Sequence, residues 1–418
     1  MTTESEEKHD AFAVLKIKDF RYFVLARFTL TFAIQMQSTI VGWQVYEYTK
    51  DAFSLGLIGL AEAMPFMGIA LLGGHFADIF NRKKIIVICD FVYFLCALSL
   101  FFITYKFSYL LKLHGVFPIY SIIFLTGIAR GFLFPSQTAL MAQIVPRNLY
   151  ANSSTWNSST FHIAMVIGLA FGGLIIGFFG IDKAYLAVVA CVFLSLLFYL
   201  KVKSKPMPKK EKDESLFESL ATGVKFVFKN QIVLGAISLD MFAVLFGGAV
   251  ALLPIFAAEI LKVGPQGFGF LRAAPAFGAV IMAMFLAYKP PLENSGKKLL
   301  ISVTGFGLCI ICFALSKNFY LSLFLLALSG VFDNVSVIIR QTIIQLYTPN
   351  EMRGRVASVN SIFIGSSNEI GSFESGLAAR LLGLIPSVIF GGSMTLLVTG
   401  IAAKFAPKLR NLNLKKDM

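Results

Sequence analysis

Twelve apolar stretches follow one another along this chain. They lie near residues 20–47, 52–75, 84–106, 117–142, 154–180, 183–201, 231–261, 266–289, 298–316, 319–345, 356–380 and 384–405. A helix needs about 20 apolar residues to cross the hydrocarbon of a bilayer, and these runs have that length. In lipid every backbone N–H and C=O must be bonded inside the protein, which leaves helices or closed barrels, and barrel strands are about half as long as these runs. The expected fold class is an all-α polytopic membrane protein.

Composition agrees. Hydrophobic residues make up 57% of the 418 and charged residues 14%, where soluble domains carry about 25%. The formal charge of +14 comes from cations clustered in the short segments between apolar runs. That placement suits lipid headgroups and argues against a nucleic-acid partner. Of the 37 Lys and Arg, 26 fall in segments on the side that holds both termini, six on the other side and five within the spans. The positive-inside rule then puts both termini in the cytoplasm of a multi-pass protein of the cell (inner) membrane. The first apolar run carries Arg27 and has no short apolar core followed by a small-residue cleavage site, so it is expected to stay as span 1. All five cysteines sit inside apolar runs, and even the C-x-x-C of Cys309 and Cys312 reads as buried small hydrophobes.

The longest interior polar stretch, Lys201 to Ser215, divides the spans six and six. After it Leu216, Leu220, Val224 and Val227 recur at helical spacing beside Lys225 and Lys229, the pattern of an interfacial amphipathic helix. The expected domains are an N-terminal six-helix bundle at 1–200, a cytoplasmic linker with its amphipathic helix at 201–230, and a C-terminal six-helix bundle at 231–418. The two halves repeat. At an offset of 203, Gly127, Pro146, Gly168 and Gly173 meet Gly330, Pro349, Gly371 and Gly376. At 210, Gly59, Pro65 and Gly68 meet Gly269, Pro275 and Gly278. A parallel six-span duplication is a transporter architecture, with the substrate site between the halves near the midplane.

Between spans 2 and 3 lies "GHFADIFNRKK", with Gly74, Asp78, Arg82 and Lys83. It resembles the signature loop G-x-L-A-D-R-x-G-R-K/R of the major facilitator superfamily, with Ile79 and Asn81 as departures. The glycine pair Gly73–Gly74 permits close helix approach, and Asp78 can meet Arg82 or a helix N-terminus. The resemblance implies a conformational latch, in which the loop meets span 11 of the other half and shuts the cytoplasmic side. "LDMFAVLFGGAVALLPIFA" (239–257), "RGRVASVNSIFIGSSNEIGSFESG" (353–376) and "GLAFGG" (168–173) are similar to the multidrug and siderophore efflux branch, of the enterobactin-exporter and macrolide-efflux type. In "GLAFGG", Leu169 stands where the exporter motif has Pro. The expected architecture is thus the major facilitator fold, twelve helices in two pseudo-symmetric six-helix bundles.

Charges inside spans are costly and are usually paired or functional. The repeat aligns Arg130 with Asp333, Glu62 with Arg272, and Arg27 with Asp240 to within one residue, opposite charges each time. The resemblance implies that spans 1, 4, 7 and 10 line the cavity. The expected cavity and coupling residues are Arg27, Gln35, Arg130, Asp240, Asp333, Arg340 and Glu369, with Arg130 facing Asp333 across the pseudo-two-fold axis. Arg27, Thr31, Gln35, Ser38 and Gly42 fall near one helical stripe. Glu62, Arg272 and Glu374 are expected as interdomain charges. Glu369 and Glu374 cannot share a helix face, so Glu369 is expected toward the other half and Glu374 elsewhere. Tyr22, Trp43, Tyr46, Tyr48 and Trp156 lie beside the seam and would suit an aromatic substrate.

The chain has neither a P-loop lysine motif nor H-E-x-x-H nor Cys/His ligand spacing. ATP-driven transport, enzymatic activity and a metal or other cofactor are therefore not expected, and a proton gradient is the expected energy source. The expected function is proton-coupled efflux of an amphipathic small molecule by alternating access, from a monomer whose partners are the substrate and the bilayer. The alternatives are a proton-coupled importer or lysolipid flippase of the same fold, or a non-transporting membrane sensor or assembly factor.

Overall fold

The computed structural model describes residues 12–206, 216–349 and 352–417. Among them every regular element is helical. Twelve long helices form the spans: Lys18–Thr49, Ala52–Ile79, Arg82–Tyr105, Phe117–Ile144, Tyr150–Phe179 and Ile181–Lys201 in the first half. Gln231–Ile260, Gly264–Tyr288, Ser295–Leu315, Phe319–Tyr347, Arg353–Leu382 and Leu384–Phe405 follow in the second. Eleven are long and apolar enough to cross a membrane by length and composition. Span 11, Arg353–Leu382, has 30 residues but is too polar for that test. It carries Asn360, Asn368, Glu369, Glu374 and six serines, and its polar face turns to the interior between the halves.

The repeat is written into the packing. Spans 5 and 6 are joined through Gly180 at φ +91°, and spans 11 and 12 through Gly383 at φ +90°, positions 203 apart. A side chain at either would be strained, since left-handed backbone favours glycine. Gly127 on span 4 lies against Pro65 and the Glu62 carbonyl of span 2, and its counterpart Gly330 on span 10 lies against Pro275 of span 8. Each half thus builds the same helix crossing, where the absent Cβ lets two backbones touch.

Span 7 is not one helix. It runs as α-helix from Gln231 to Phe246, breaks at Gly247 and Gly248, continues as a 3₁₀ turn at Ala249–Leu252, and ends as a π-turn at Phe256–Ile260. The glycine pair and Pro254 carry the sequence signal for this break. Irregular backbone at membrane depth is tolerated where it is buried in protein or lines a cavity. Here the Leu245 and Phe246 carbonyls press on Gly371 and Gly391, and Gly247, Gly248 and Pro254 line the central cavity.

Outside the spans, a short helix, Ser108–His114, fills the loop after span 3. The amphipathic helix after the linker is Leu216–Lys229, with Val227 fully buried and Gly223 against Arg355 of span 11. Residues 207–215 of the linker, and the acidic start of the chain, lie outside the described residues. The segment before span 1 is a 3₁₀ turn, Ala13–Lys16, with Val14 buried. The cysteines form no disulfide, and Cys89, Cys96 and Cys309 are buried.

One end of the bundle carries both termini, and we call the opposite end distal. The halves seal at the distal end. Gly173 of span 5 meets Gly269 of span 8, and Gly376 of span 11 meets Gly56 of span 2. Tyr46 donates to Glu259 at 2.7 Å, and Phe53 packs on Phe373 with ring centroids 5.8 Å apart. The described bonds between the halves all lie at the centre or toward this end.

A contrast between two glycines tests the packing. Replacing Gly330 with Ala drives a methyl into the Pro275 carbonyl and should lower the stability of the detergent-solubilised protein by about 1–3 kcal/mol. Gly74→Ala meets no atom within 4 Å and should leave the thermal unfolding midpoint unchanged or raised. Equal behaviour of the two variants would contradict the crossing described.

Candidate functional site: a charged cavity between the halves

A cavity of about 640 Å³ lies between the two halves. Span 1 contributes Arg27, Thr31, Gln35, Ser38 and Gly42 to its wall, the stripe expected from helical spacing. Glu62, Arg130, Arg272, Asp333 and Glu369 also line it. Phe134, Phe161, Phe268 and Phe306 supply apolar wall, so a polar floor and aromatic sides face one space.

The charges pair differently from the symmetric expectation. Arg130 does not meet Asp333. One of its terminal nitrogens donates to Glu62 Oε1 at 2.6 Å and to Glu369 Oε1 at 3.1 Å. Glu62 belongs to the same half and Glu369 to the other, so a single guanidinium spans the interface. The Arg130 guanidinium also stacks over Phe66, 4.9 Å from the ring centre. Arg272 of the second half donates to the Ser38 carbonyl at 2.8 Å and the Ser38 hydroxyl at 3.0 Å on span 1. It lies within electrostatic range of both Glu369 and Glu62. Two arginines and two glutamates, from spans 2, 4, 8 and 11, form one charge-balanced cluster. The aligned positions Glu62 and Arg272 therefore do meet in one network, as expected of interdomain charges. Pairing by twofold symmetry fails for Arg130 because span 11 brings Glu369 closer than span 10 brings Asp333.

Asp333 faces the cavity and makes no hydrogen bond or ion pair with any described residue. Arg27 is 8% exposed, lines the cavity, and lies over the Phe161 ring, 5.7 Å from its centre, with no ion pair to any described residue. Asp240 and Arg340, expected in the cavity, are not on its wall. They pair with each other inside the second half, between spans 7 and 10, at 5% and 2% exposure. Glu374 makes no described bond to the first half; its partner is the adjacent Ser375 hydroxyl. It is not an interdomain charge in this state, whereas Glu369 faces the other half as the helix geometry required.

At the span 2–3 loop, Arg82 donates to the Ala77 carbonyl at 2.9 Å and the Ala139 carbonyl at 3.3 Å, and Lys83 to the Leu200 carbonyl at 2.9 Å. These described bonds tie the loop to its own half. Gly73, not Gly74, makes the close approach, against Gly131 of span 4. The side chain of Asp78 lies outside the described residues. None of Tyr22, Trp43, Tyr46, Tyr48 and Trp156 lines the cavity. Trp43 packs on Phe268, ring centres 5.7 Å apart, and donates to Glu47, while Tyr46 binds Glu259; both belong to the distal seal. Among the described residues no group of His, Cys, Asp and Glu is arranged to hold a metal ion.

A family model described as a transmembrane secretion effector, of the major facilitator class, matches residues 9–417. The chain belongs to that family. Among its relatives are the enterobactin exporters EntS of Escherichia coli O1:K1 / APEC and of Shigella boydii serotype 18 (strain CDC 3083-94 / BS512). Each is 29% identical over 342 residues, covering 81% of this chain and 79% of the relative. Among solved structures, a POT family transporter in complex with 5-aminolevulinic acid superimposes with a TM-score of 0.73 at 14% identity, covering 93% of this chain and 96% of that one. A bacterial homolog of the human lysosomal transporter Spinster, inward-facing and unoccupied, gives 0.70 at 14% identity, covering 96% and 98%. These likenesses establish the major facilitator fold, and family and relatives alike are transporters and not enzymes.

The pairing of Asp240 with Arg340 generates a direct test. Asp240→Asn leaves a buried guanidinium without its counter-charge and should destabilise the protein by about 3–5 kcal/mol. The double variant Asp240→Leu with Arg340→Met should recover most of that loss in thermal unfolding. A double variant as damaged as the sum of the singles would show that the two side chains do not stabilise each other.

Proposed function

We propose that the protein is a proton-driven exporter of an amphipathic small molecule, working by alternating access. The observation that carries this reading is the Arg130 guanidinium shared between Glu62 of its own half and Glu369 of the other, at the wall of a cavity closed distally. Proton arrival at Glu369 removes one of the two negative charges holding Arg130. The guanidinium then falls back on Glu62 alone, the link between the halves is lost, and the distal seal is free to part. Charge on Glu369 restores the link and with it the state described. A carboxylate that alternates between carrying a proton and bridging the halves supplies the coupling that alternating access requires.

Direction and sidedness follow from other observations. The 26 to 6 excess of cations on the termini side supports that side as the cytoplasmic one. The cavity closed distally is then sealed from the outside. Relatives named as enterobactin exporters favour outward transport. The cavity suits a molecule with an apolar body and a polar edge. Its four phenyl rings are set against Arg27, Gln35, Asn368 and Asp333, and the cationic Arg27 has no counter-ion among the described residues.

Reconstitution in proteoliposomes tests the reading, with enterobactin and a lipophilic dye as probes. The wild type should concentrate a probe when a proton gradient is imposed. Glu369→Gln should abolish that concentration while leaving downhill exchange, because exchange needs no protonation cycle. A Glu369→Gln protein that still concentrates probe removes Glu369 as the carrier. A wild type that moves neither probe down a gradient favours the non-transporting reading.

A further inference from the structure

Asp90 lies on span 3, one turn before the cavity-lining Tyr93 but not itself on the cavity wall, and is fully buried. Its Oδ2 is 2.9 Å from the Ser195 hydroxyl of span 6, and its Oδ1 has no partner among the described residues. The same Ser195 hydroxyl is 3.0 Å from the Ala26 carbonyl of span 1. The surrounding titratable and polar groups are Cys89 on its own helix and Tyr199 on span 6, with Gln137 reaching from span 4 to donate to the Tyr199 hydroxyl at 2.7 Å. Tyr199 also lies within electrostatic range of Arg27. Among the described residues no cation is within ion-pair distance of Asp90.

Counting protons decides the ionisation state. Ser195 has one hydroxyl proton and two acceptors in reach. If Asp90 were ionised, a fully buried negative charge would hold at most one neutral donor and no cation, a costly arrangement. If Asp90 carries a proton, its O–H donates to Ser195 Oγ, and the Ser195 O–H donates to the Ala26 carbonyl. Spans 3, 6 and 1 are then joined in one chain, and the remaining carbonyl oxygen is neutral.

We propose that Asp90 is a proton-binding site of the transport cycle, loaded in the state described, whose proton ties span 1 to spans 3 and 6. When the proton leaves, Ser195 turns its hydroxyl to the carboxylate and releases the Ala26 carbonyl. Span 1 is the helix that presents Arg27, the next residue, to the cavity. Proton occupancy at Asp90 therefore sets how firmly the wall that meets the substrate is held. The role in the cycle rests on the reading of the protein as a proton-driven transporter; the protonation itself does not.

Infrared spectroscopy of the full-length protein in lipid tests the protonation. At neutral pH the wild type should show a carboxylic-acid carbonyl band that is lost in Asp90→Asn. The band should shift in Ser195→Ala, which removes the acceptor and keeps the acid, so the test survives if Asp90→Asn fails to fold. An acid spectrum identical in wild type and both variants would overturn the proposal. Downhill dye exchange across the mildly acidic to alkaline range tests the role. The part of the pH variation that survives in Glu369→Gln should be lost when Asp90→Asn is added; a pH profile unaltered by that addition would make Asp90 a static acid and overturn the role. A wild type that exchanges no dye at all would fail the transport reading while the infrared result still stood.

Discussion

Everything at the centre of this protein depends on neutralising Arg130. A lone guanidinium at membrane depth is expensive, and the fold answers with one carboxylate from each half. Glu62 is fixed to the same bundle whatever the halves do. Glu369 arrives only when span 11 lies against span 2, which is the arrangement of the distal seal. In the state described, the charge balance of Arg130 and the closed distal end occur together. Arg272, on Ser38 of span 1, makes a second polar crossing at a similar depth.

The glycines explain why closure can be tight. Gly56 on Gly376 and Gly173 on Gly269 bring helices from opposite halves to backbone contact, at crossings of spans 2 with 11 and 5 with 8. Two such crossings flank the cavity and hold the halves backbone to backbone in the state described. That internal shape rests on crossings of the same kind, Gly127 at Pro65 and Gly330 at Pro275. Small residues thus serve both the rigid bundles and the surface on which they move.

Much of this was legible in the sequence, for physical reasons. The length of each apolar run located all twelve helices, since lipid permits little else. The offset of 203 paired Gly127 with Gly330, whose crossings match, and the turns at Gly180 and Gly383, not singled out in the sequence, lie at the same offset. Helical spacing found the cavity stripe from Arg27 to Gly42, and the angle between Glu369 and Glu374 separated their surroundings. The charge partners were not legible. Arg130 with Glu369, and Asp240 with Arg340, depend on how far each helix is displaced from the symmetry axis, which repeat alignment does not encode. The break in span 7 was signalled by Gly247 and Gly248 but hidden by the length of the apolar run. Nor could alignment show Ser195 beside Asp90, since a serine on an apolar helix carries no sign of its neighbour.

If the Arg130–Glu369 contact holds the distal seal, removing the charge on Glu369 opens that end. Pulsed spin-label distances between Lys112 and Lys317, exposed positions on distal loops of the two halves, measure it directly in protein reconstituted in lipid. Each label replaces its lysine with cysteine, in a chain whose native cysteines have been exchanged. On changing Glu369 to Gln, the account predicts that the distribution moves toward longer distances at neutral pH. It also predicts that the unsubstituted background shows the same shift only on acidification. A distribution that stays short in the Gln variant, with or without acid, would contradict it.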